Sequence, residues 1–313
     1  MKVLVVGAGA VGGYFGGRLF QAGRDITFLV RPAKADQIHK QGLEIVSPHG
    51  NATLHPPVIT AEQITSPYDL VFVSVKSYAL ANAIEDFSKA VGPETMVYPM
   101  LNGMRHMDQL NEKFGERAVI GGVCLVATTI DDAGRIVQLS ELHKLIYGEL
   151  DGSITGRMRR LDETMRDAGF HTQLSTNIVQ AMWDKWVQLA SLGLITCLMR
   201  GSIGEIVAAP DGAAFCQRVV DECARIATVC GHGPDASFFE RLSKMMTEQG
   251  SPLTSSMYRD LQKGASVEVE TILGDLLERG RSHAIASPLL EGGCLQLRVY
   301  QNKRRQQKSS ESV

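Results

Sequence analysis

Residues 2 to 16 constrain the fold more than any other stretch. The short apolar run Lys2-Val3-Leu4-Val5-Val6 passes directly into Gly7-Ala8-Gly9-Ala10-Val11-Gly12-Gly13-Tyr14-Phe15-Gly16. An apolar run of this length suits a strand buried on both faces of a parallel sheet. Gly7, Gly9 and Gly12 let the chain turn tightly and bring its backbone close to a pyrophosphate. The helix that begins near Ala10 and Val11 offers that anion unpaired amides and the positive end of its dipole. Val11, Phe15, Leu19 and Phe20 keep helical spacing, and Ile26 to Val30 forms a second apolar strand, so the motif sits in a complete β-α-β unit.

An Asp or Glu at the end of that second strand would accept hydrogen bonds from the ribose 2′-hydroxyl of NAD and repel the extra phosphate of NADP. Positions 27 to 34 hold neither acid, and Arg31 offers a planar cation suited to phosphate. The expected cofactor is therefore NADP(H). The alternative for Arg31 is an ordinary exposed side chain at a strand end.

The chain has 313 residues, 44% of them hydrophobic, enough for two substantial cores. Its formal charge of −2 gives no reason to expect a nucleic acid partner. No apolar run reaches the length of a membrane span, and the N-terminus reads as the first strand of the fold rather than a signal peptide, so a cytoplasmic protein is expected. Cys124, Cys197, Cys216, Cys223, Cys230 and Cys294 form no C-x-x-C pair, and the histidines lack metal-ligand spacing. Buried free thiols and no metal are expected. Cys216, Cys223 and Cys230 recur every seven residues, a spacing that core packing explains better than metal binding.

The first half alternates strand and helix signals. Helices are expected over Lys34–Gln41, Ala79–Val91 and Thr155–Ala168. Strands are expected over Asp69–Lys76, Thr95–Met100, Val119–Thr129, Ile136–Leu139, Lys144–Leu150 and His171–Ser175, with broken extended chain over Leu43–Ser47 and Thr53–Thr60. This is the alternation of a Rossmann-type doubly wound sheet. From Asn177 the pattern is helical: Ile178–Cys197, Gly212–Cys230, Ala236–Glu248, Val267–His283 and Pro288–Gln301, followed by a polar tail, Asn302–Val313, expected to be frayed. The predicted fold is α/β, with a dinucleotide-binding domain over 1–176, an all-helical substrate domain over 177–313, and a cleft between them. Apolar surface over Val267–Leu277 suits either a core or a subunit interface, so a homodimer is possible.

Three polar features stand where local structure does not demand them. Lys185 shares a helix face with Ala181, Leu189 and Leu192, where desolvation would ready it to donate a proton. A snorkelling lysine paired with Asp184 or Asp260 is the slightly better explanation on these grounds alone. Glu268 falls in the first turn of a helix, where on spacing alone complementing the dipole is the better explanation. Asn102-Gly103 could be an ordinary turn, yet it follows a central strand, at the end of the sheet where cofactors bind.

Taken with Val75-Lys76 and Ser255-Ser256-Met257-Tyr258-Arg259-Asp260, these residues resemble the ketopantoate reductase (2-dehydropantoate 2-reductase) family over nearly the whole chain. The resemblance implies NADPH-dependent reduction of a 2-keto acid in pantothenate biosynthesis. By the same resemblance Lys185 is the general acid, Glu268 contacts the substrate's hydroxyl end and Ser256 helps bind its carboxylate. Asn102 lies beside nicotinamide and substrate, Lys76 near the cofactor, and Arg31 at the 2′-phosphate. The chain departs from the family pattern at Leu189, Gly193-Leu194 and Leu253, where polar residues are usual. Those losses point to a less polar or different substrate. Two alternatives follow: a reductase of another carbonyl or imine, and an NADP(H)-sensing regulator without catalysis.

Overall fold

Strand β1 (Lys2–Val6) lies in a parallel sheet between β2 (Asp25–Leu29) and β6 (Leu70–Val73), with Val5 opposite both Phe28 and Phe72 in the computed structural model. The structure describes residues 1–311, with side chains as far as Gln307. Val3, Leu4 and Val5 of β1 and all four residues of β6 are fully buried, which is why both runs read as unbroken apolar sequence. Helices α1 (Ala10–Gln21) and α2 (Pro32–Gln41) follow β1 and β2. The short strands β3 (Leu43–Val46), β4 (Ala52–Leu54) and β5 (Val58–Ile59) come next. Helix α3 (Leu80–Phe87) leads to β7 (Met96–Pro99), which completes a five-stranded order β5-β2-β1-β6-β7.

After α4 (Arg105–Phe114), strands β8 (Gly121–Ile130), β9 (Ile136–Gly148) and β10 (His171–Leu174), with α5 (Gly156–Met165) between the last two, depart from a continuous doubly wound pattern. They join β3 and β4 in a second, mixed sheet ordered β10-β9-β3-β4, with β8 antiparallel to β9. The reason lies in the connection: the Asp131–Arg135 turn between β8 and β9 is too short for a parallel crossover. Sequence patterning splits β9 in two at polar Ser140 and Glu141; the structure keeps one strand of 13 residues, whose pairing with β8 shifts register across that stretch. The edge position of β7 also corrects the expectation that Asn102 follows a central strand.

Helix α1 is gripped by both sheets. A Cβ added at Gly16 would stand 2.7 Å from Phe28 and 2.9 Å from Val5, and one at Gly17 would stand 2.7 Å from Ile45. Part of the glycine richness after Gly12 thus serves helix packing rather than the ligand.

The chain divides into two compact units, Met1–Leu101 with His106–Val179, and Asn102–Arg105 with the chain from Gln180 onward. Among the described residues the second unit is wholly helical. It contains α6 (Ile178–Met199, from Gln180), α7 (Ile203–Ala208), α8 (Gly212–Val229), α9 (Ala236–Met246), α10 (Ser256–Gln262), α11 (Asp275–Ser282) and α12 (Pro288–Glu311). Trp186, Val187, Cys197, Val219, Cys223, Leu273, Leu276 and Leu290 form its buried interior. All six cysteines are free, and burial pushes the Cys223 thiol up to about 12, far from reactive. Among the described residues no helix is long and apolar enough to cross a membrane, and no group of three or more His, Cys, Asp or Glu side chains is arranged to hold a metal ion.

Three features differ from the sequence pattern. Helices α7 and α10 are too short for periodicity to reveal, and each is fixed by a serine cap: Ser202 in a capping box with Glu205, and Ser255 accepting from Tyr258 N at 2.9 Å. The helix expected from Val267 opens with a π turn, Glu270–Gly274, ahead of α11. The polar tail is not frayed through Glu311 but continues α12. Tyr300 Oη donates to Ala265 O (2.8 Å), Gln301 Nε2 to Val267 O (3.0 Å), and Arg304 to Gly264 O and Ser266 Oγ (both 2.6 Å). Ser312 and Val313, the rest of that tail, lie outside the described residues.

Candidate functional site

The glycine loop of the first unit is shaped by contacts that no side chain could replace. Gly7 has φ +93°, a conformation glycine adopts freely. A Cβ at Gly12 would fall 1.9 Å from Ser74 Oγ and 2.6 Å from Gly7 O, whereas one at Gly9 would meet nothing within 4 Å. The loop is therefore tight on its inner side and open at Gly9, the cap residue of α1. That cap brings no side-chain hydrogen bond, and the first turn, which includes Ala10, Val11 and Gly12, carries no acid. An open, acid-free helix start fits a pyrophosphate. Ser74, at the end of β6, donates to Val6 O (2.9 Å) and Gly7 O (3.0 Å), bracing the turn. The sequence pattern places Ser74 inside the expected strand Asp69–Lys76; its role as a brace needed the fold.

Arg31 is the exposed N-cap residue of α2, with Pro32 at the first helical position. Its carbonyl accepts from the amides of Lys34 and Ala35, each at 3.0 Å. Lys34 stands one turn further on, half-buried, with Nζ donating to Gln37 Oε1 at 3.0 Å, and burial lowers its pKa. The start of α2 thus carries two cations rather than the one singled out from sequence. Lys76 is exposed at the cap of a single 3-10 turn, two residues after Ser74.

Lys185, Glu268, Ser256 and Asn102 all belong to the second unit. Lys185 occupies the half-buried face of α6 with Ala181 and Leu189, while Trp183, Trp186 and Val187 point into the interior. Glu268 is half-buried and precedes the π turn, which corrects its expected place inside the first helical turn. Its carbonyl accepts from Ile272 N at 3.1 Å and Thr271 Oγ1 at 3.3 Å. Gly264 through Val267, the residues leading to it, are those that α12 holds. Ser256 is exposed at the start of α10, whereas its neighbour Ser255 is buried and shares a 2.8 Å hydrogen bond with Thr196. The paired serines therefore divide into a structural cap and an accessible hydroxyl.

Asn102 is half-buried, and Gly103 after it has φ +78°. A Cβ on Gly103 would fall 2.2 Å from Thr271 O, so this segment lies against the π turn that follows Glu268. Of the departures, Gly193 permits a close approach: its added Cβ would come 2.8 Å from Met257 Cε, next to Ser256. Leu189 and Leu253 are half-buried, and Leu253 O accepts from Ile203 N at 3.0 Å.

Two family models match the chain: "Ketopantoate reductase PanE/ApbA" over residues 3–152 and "Ketopantoate reductase PanE/ApbA C terminal" over residues 177–301. The uncharacterized oxidoreductase YkpB of Bacillus subtilis is 35% identical over 301 residues, covering 96% of this chain and 99% of its own. The 2-dehydropantoate 2-reductase of Archaeoglobus fulgidus is 29% identical over 284 residues, covering 91% and 92%. The crystal structure of a 2-dehydropantoate 2-reductase from Geobacter metallireducens GS-15 superposes with a TM-score of 0.86 at 26% identity, covering 95% of this chain and 99% of that one.

Proposed function

Because this chain belongs to the ketopantoate reductase family of nicotinamide-dependent oxidoreductases, we propose that it reduces a 2-keto acid to the 2-hydroxy acid with NADPH. The substrate is ketopantoate or a relative with a less polar side chain. The observation that carries this reading is the grouping of Asn102 with the helical unit of Lys185 and Glu268, although Asn102 follows the last parallel strand.

Gly7, Gly9, Ala10, Val11 and Gly12 hold the pyrophosphate through backbone amides, and Arg31 selects the 2′-phosphate, with Lys76 near the cofactor. When bound, NADPH supplies the hydride. A carbonyl carbon that accepts hydride leaves negative charge on its oxygen. The Lys185 ammonium stabilises that charge and transfers a proton from Nζ to the oxygen, then regains one from solvent. Ser256 donates to the substrate carboxylate, Asn102 orients the carbonyl, and the Glu268 carboxylate accepts from the hydroxyl at the far end. Such acid assistance contributes about 10²- to 10⁴-fold in rate.

Leu189, Gly193 and Leu253 support a second substrate reading within the same chemistry: a bulkier, less polar keto acid, or another carbonyl or imine. A site lined by apolar groups does not demand a hydroxyl the way a hydrogen-bonding site does. Retention of both Lys185 and Glu268 favours catalysis over a cofactor-sensing regulator. We place the reaction in the cytosol and, if ketopantoate is the substrate, in pantothenate biosynthesis. A homodimer fits the exposed Leu295 and Val299, one turn apart on α12.

The test is NADPH consumption with ketopantoate beside less polar 2-keto acids, repeated with NADH. Turnover that prefers NADPH is expected, with the order of substrates reporting the pocket's polarity. Silence across the panel with NADPH still bound would refute catalysis on 2-keto acids and favour the sensor.

A further inference from the structure

We propose that Trp186 is a positioning residue for this reduction, holding the segments of Glu268 and Asn102 in register with the helix that carries Lys185. The proposal rests on the 2-keto acid reduction proposed above.

Trp186 is 1% exposed, and its indole N–H donates to Ile272 O at 2.9 Å. Ile272 sits in the π turn Glu270–Gly274, which closes with a bond from Asp275 N to Glu270 O. A π turn is a wider, less regular helical turn that recurs where function asks something of a helix, and an outside donor to one of its carbonyls helps fix it. The turn begins two residues after Glu268, and the Glu268 carbonyl accepts the Ile272 amide at 3.1 Å. Ile272 therefore joins Trp186 through its carbonyl and Glu268 through its amide.

The same turn backs the other site segment. A Cβ on Gly103 would lie 2.2 Å from Thr271 O and 3.7 Å from Trp186 Nε1, so the backbone beside Asn102 reaches both. The indole is itself held. The Arg279 guanidinium lies 5.5 Å from the Trp186 ring centroid and 5.8 Å from that of Trp183, and Arg279 Nε is 3.3 Å from Asp275 Oδ1. Trp186 follows Lys185 directly in α6, so one rigid side chain on that helix bonds the π turn after Glu268 and lies close beside Gly103. Trp186 does not touch substrate in this account; it acts through Glu268 and Asn102.

The test uses the full chain with Trp186→Phe and with the benzothiophene analogue of tryptophan at position 186. The analogue keeps the bicycle and loses only the donor. Backbone amide exchange over 267–274 and 102–104 should quicken in both variants. kcat/KM for the keto acid should fall roughly tenfold through a higher KM, the size expected for one buried hydrogen bond acting on the site. NADPH affinity should fall by less than kcat/KM, because the glycine loop, Arg31 and Lys76 lie in the first unit and only Asn102 belongs to the second. Unchanged exchange overturns the proposal. Faster exchange with unchanged kcat/KM also overturns it, since Trp186 would then serve stability alone. If the unmodified chain reduces no 2-keto acid, the reading of function fails, and exchange alone decides whether Trp186 fixes the turn.

Discussion

Acidification should weaken the first unit through one histidine. His143, on β9, is 4% exposed. Its Nδ1 is 2.7 Å from Tyr14 Oη, its ring stacks on His49 at 3.8 Å and 14°, and His171 meets it edge-on at 5.9 Å. Burial lowers its pKa to about 4, with help from the neighbouring His49, His171 and Arg18 charges. The unfolded chain returns the ring to its ordinary value of about 6.5. Between those values the unfolded state binds more protons, so stability is fully present above about pH 6.5 and declines as pH falls toward about 4. Integrated from about pH 7.5 to about pH 5, the single site contributes a loss of about 2 kcal/mol. Urea unfolding of the parent and His143→Gln at both pH values isolates the effect. The variant is expected to be less stable at neutral pH but to lose about 2 kcal/mol less on acidification. Equal losses in the two proteins would refute the assignment.

Further outcomes follow from the cofactor loop and the C-terminal helix. Gly12→Ala forces a Cβ into Ser74 Oγ and Gly7 O, and NADPH binding by titration should weaken by at least about tenfold; unchanged affinity would mean the loop does not hold the pyrophosphate. Arg31→Ala should raise the KM for NADPH about 10- to 100-fold, the range for a charged hydrogen bond, and leave that for NADH unchanged. An equal effect on both cofactors would remove Arg31 from the 2′-phosphate. Tyr300→Phe combined with Arg304→Ala removes three of the bonds that hold Gly264 to Ser266. This pair should lower the Tm by several degrees and raise the KM for the keto acid, and a KM equal to the parent's would show that Glu268 does not depend on this clasp.

The β-α-β start was legible because strand, glycines and helix agree locally, and β1, α1 and β2 form as the spacing demands. The second sheet was not, since nothing in β3 or β9 says that these strands pair with each other rather than with β1. The division of labour between Ser255 and Ser256 rests on which hydroxyl faces Thr196, and that depends on α6 and α10 meeting across Gly193. Of the residues read as a tail, Arg304 reaches Gly264 O and Ser266 Oγ, acceptors too distant in the chain for a local pattern to reveal. Trp186 is a buried core residue, and its second role lies in one N–H and a π turn that periodicity cannot show.

In the proposed reaction Lys185 donates the proton to the 2-keto acid that NADPH reduces. The most direct test of this step is kcat/KM for the best 2-keto acid in the parent and in Lys185→Ala, with NADPH affinity measured alongside. A fall of about 10²- to 10⁴-fold with cofactor affinity unchanged is expected. Parent-like turnover in Lys185→Ala would contradict it.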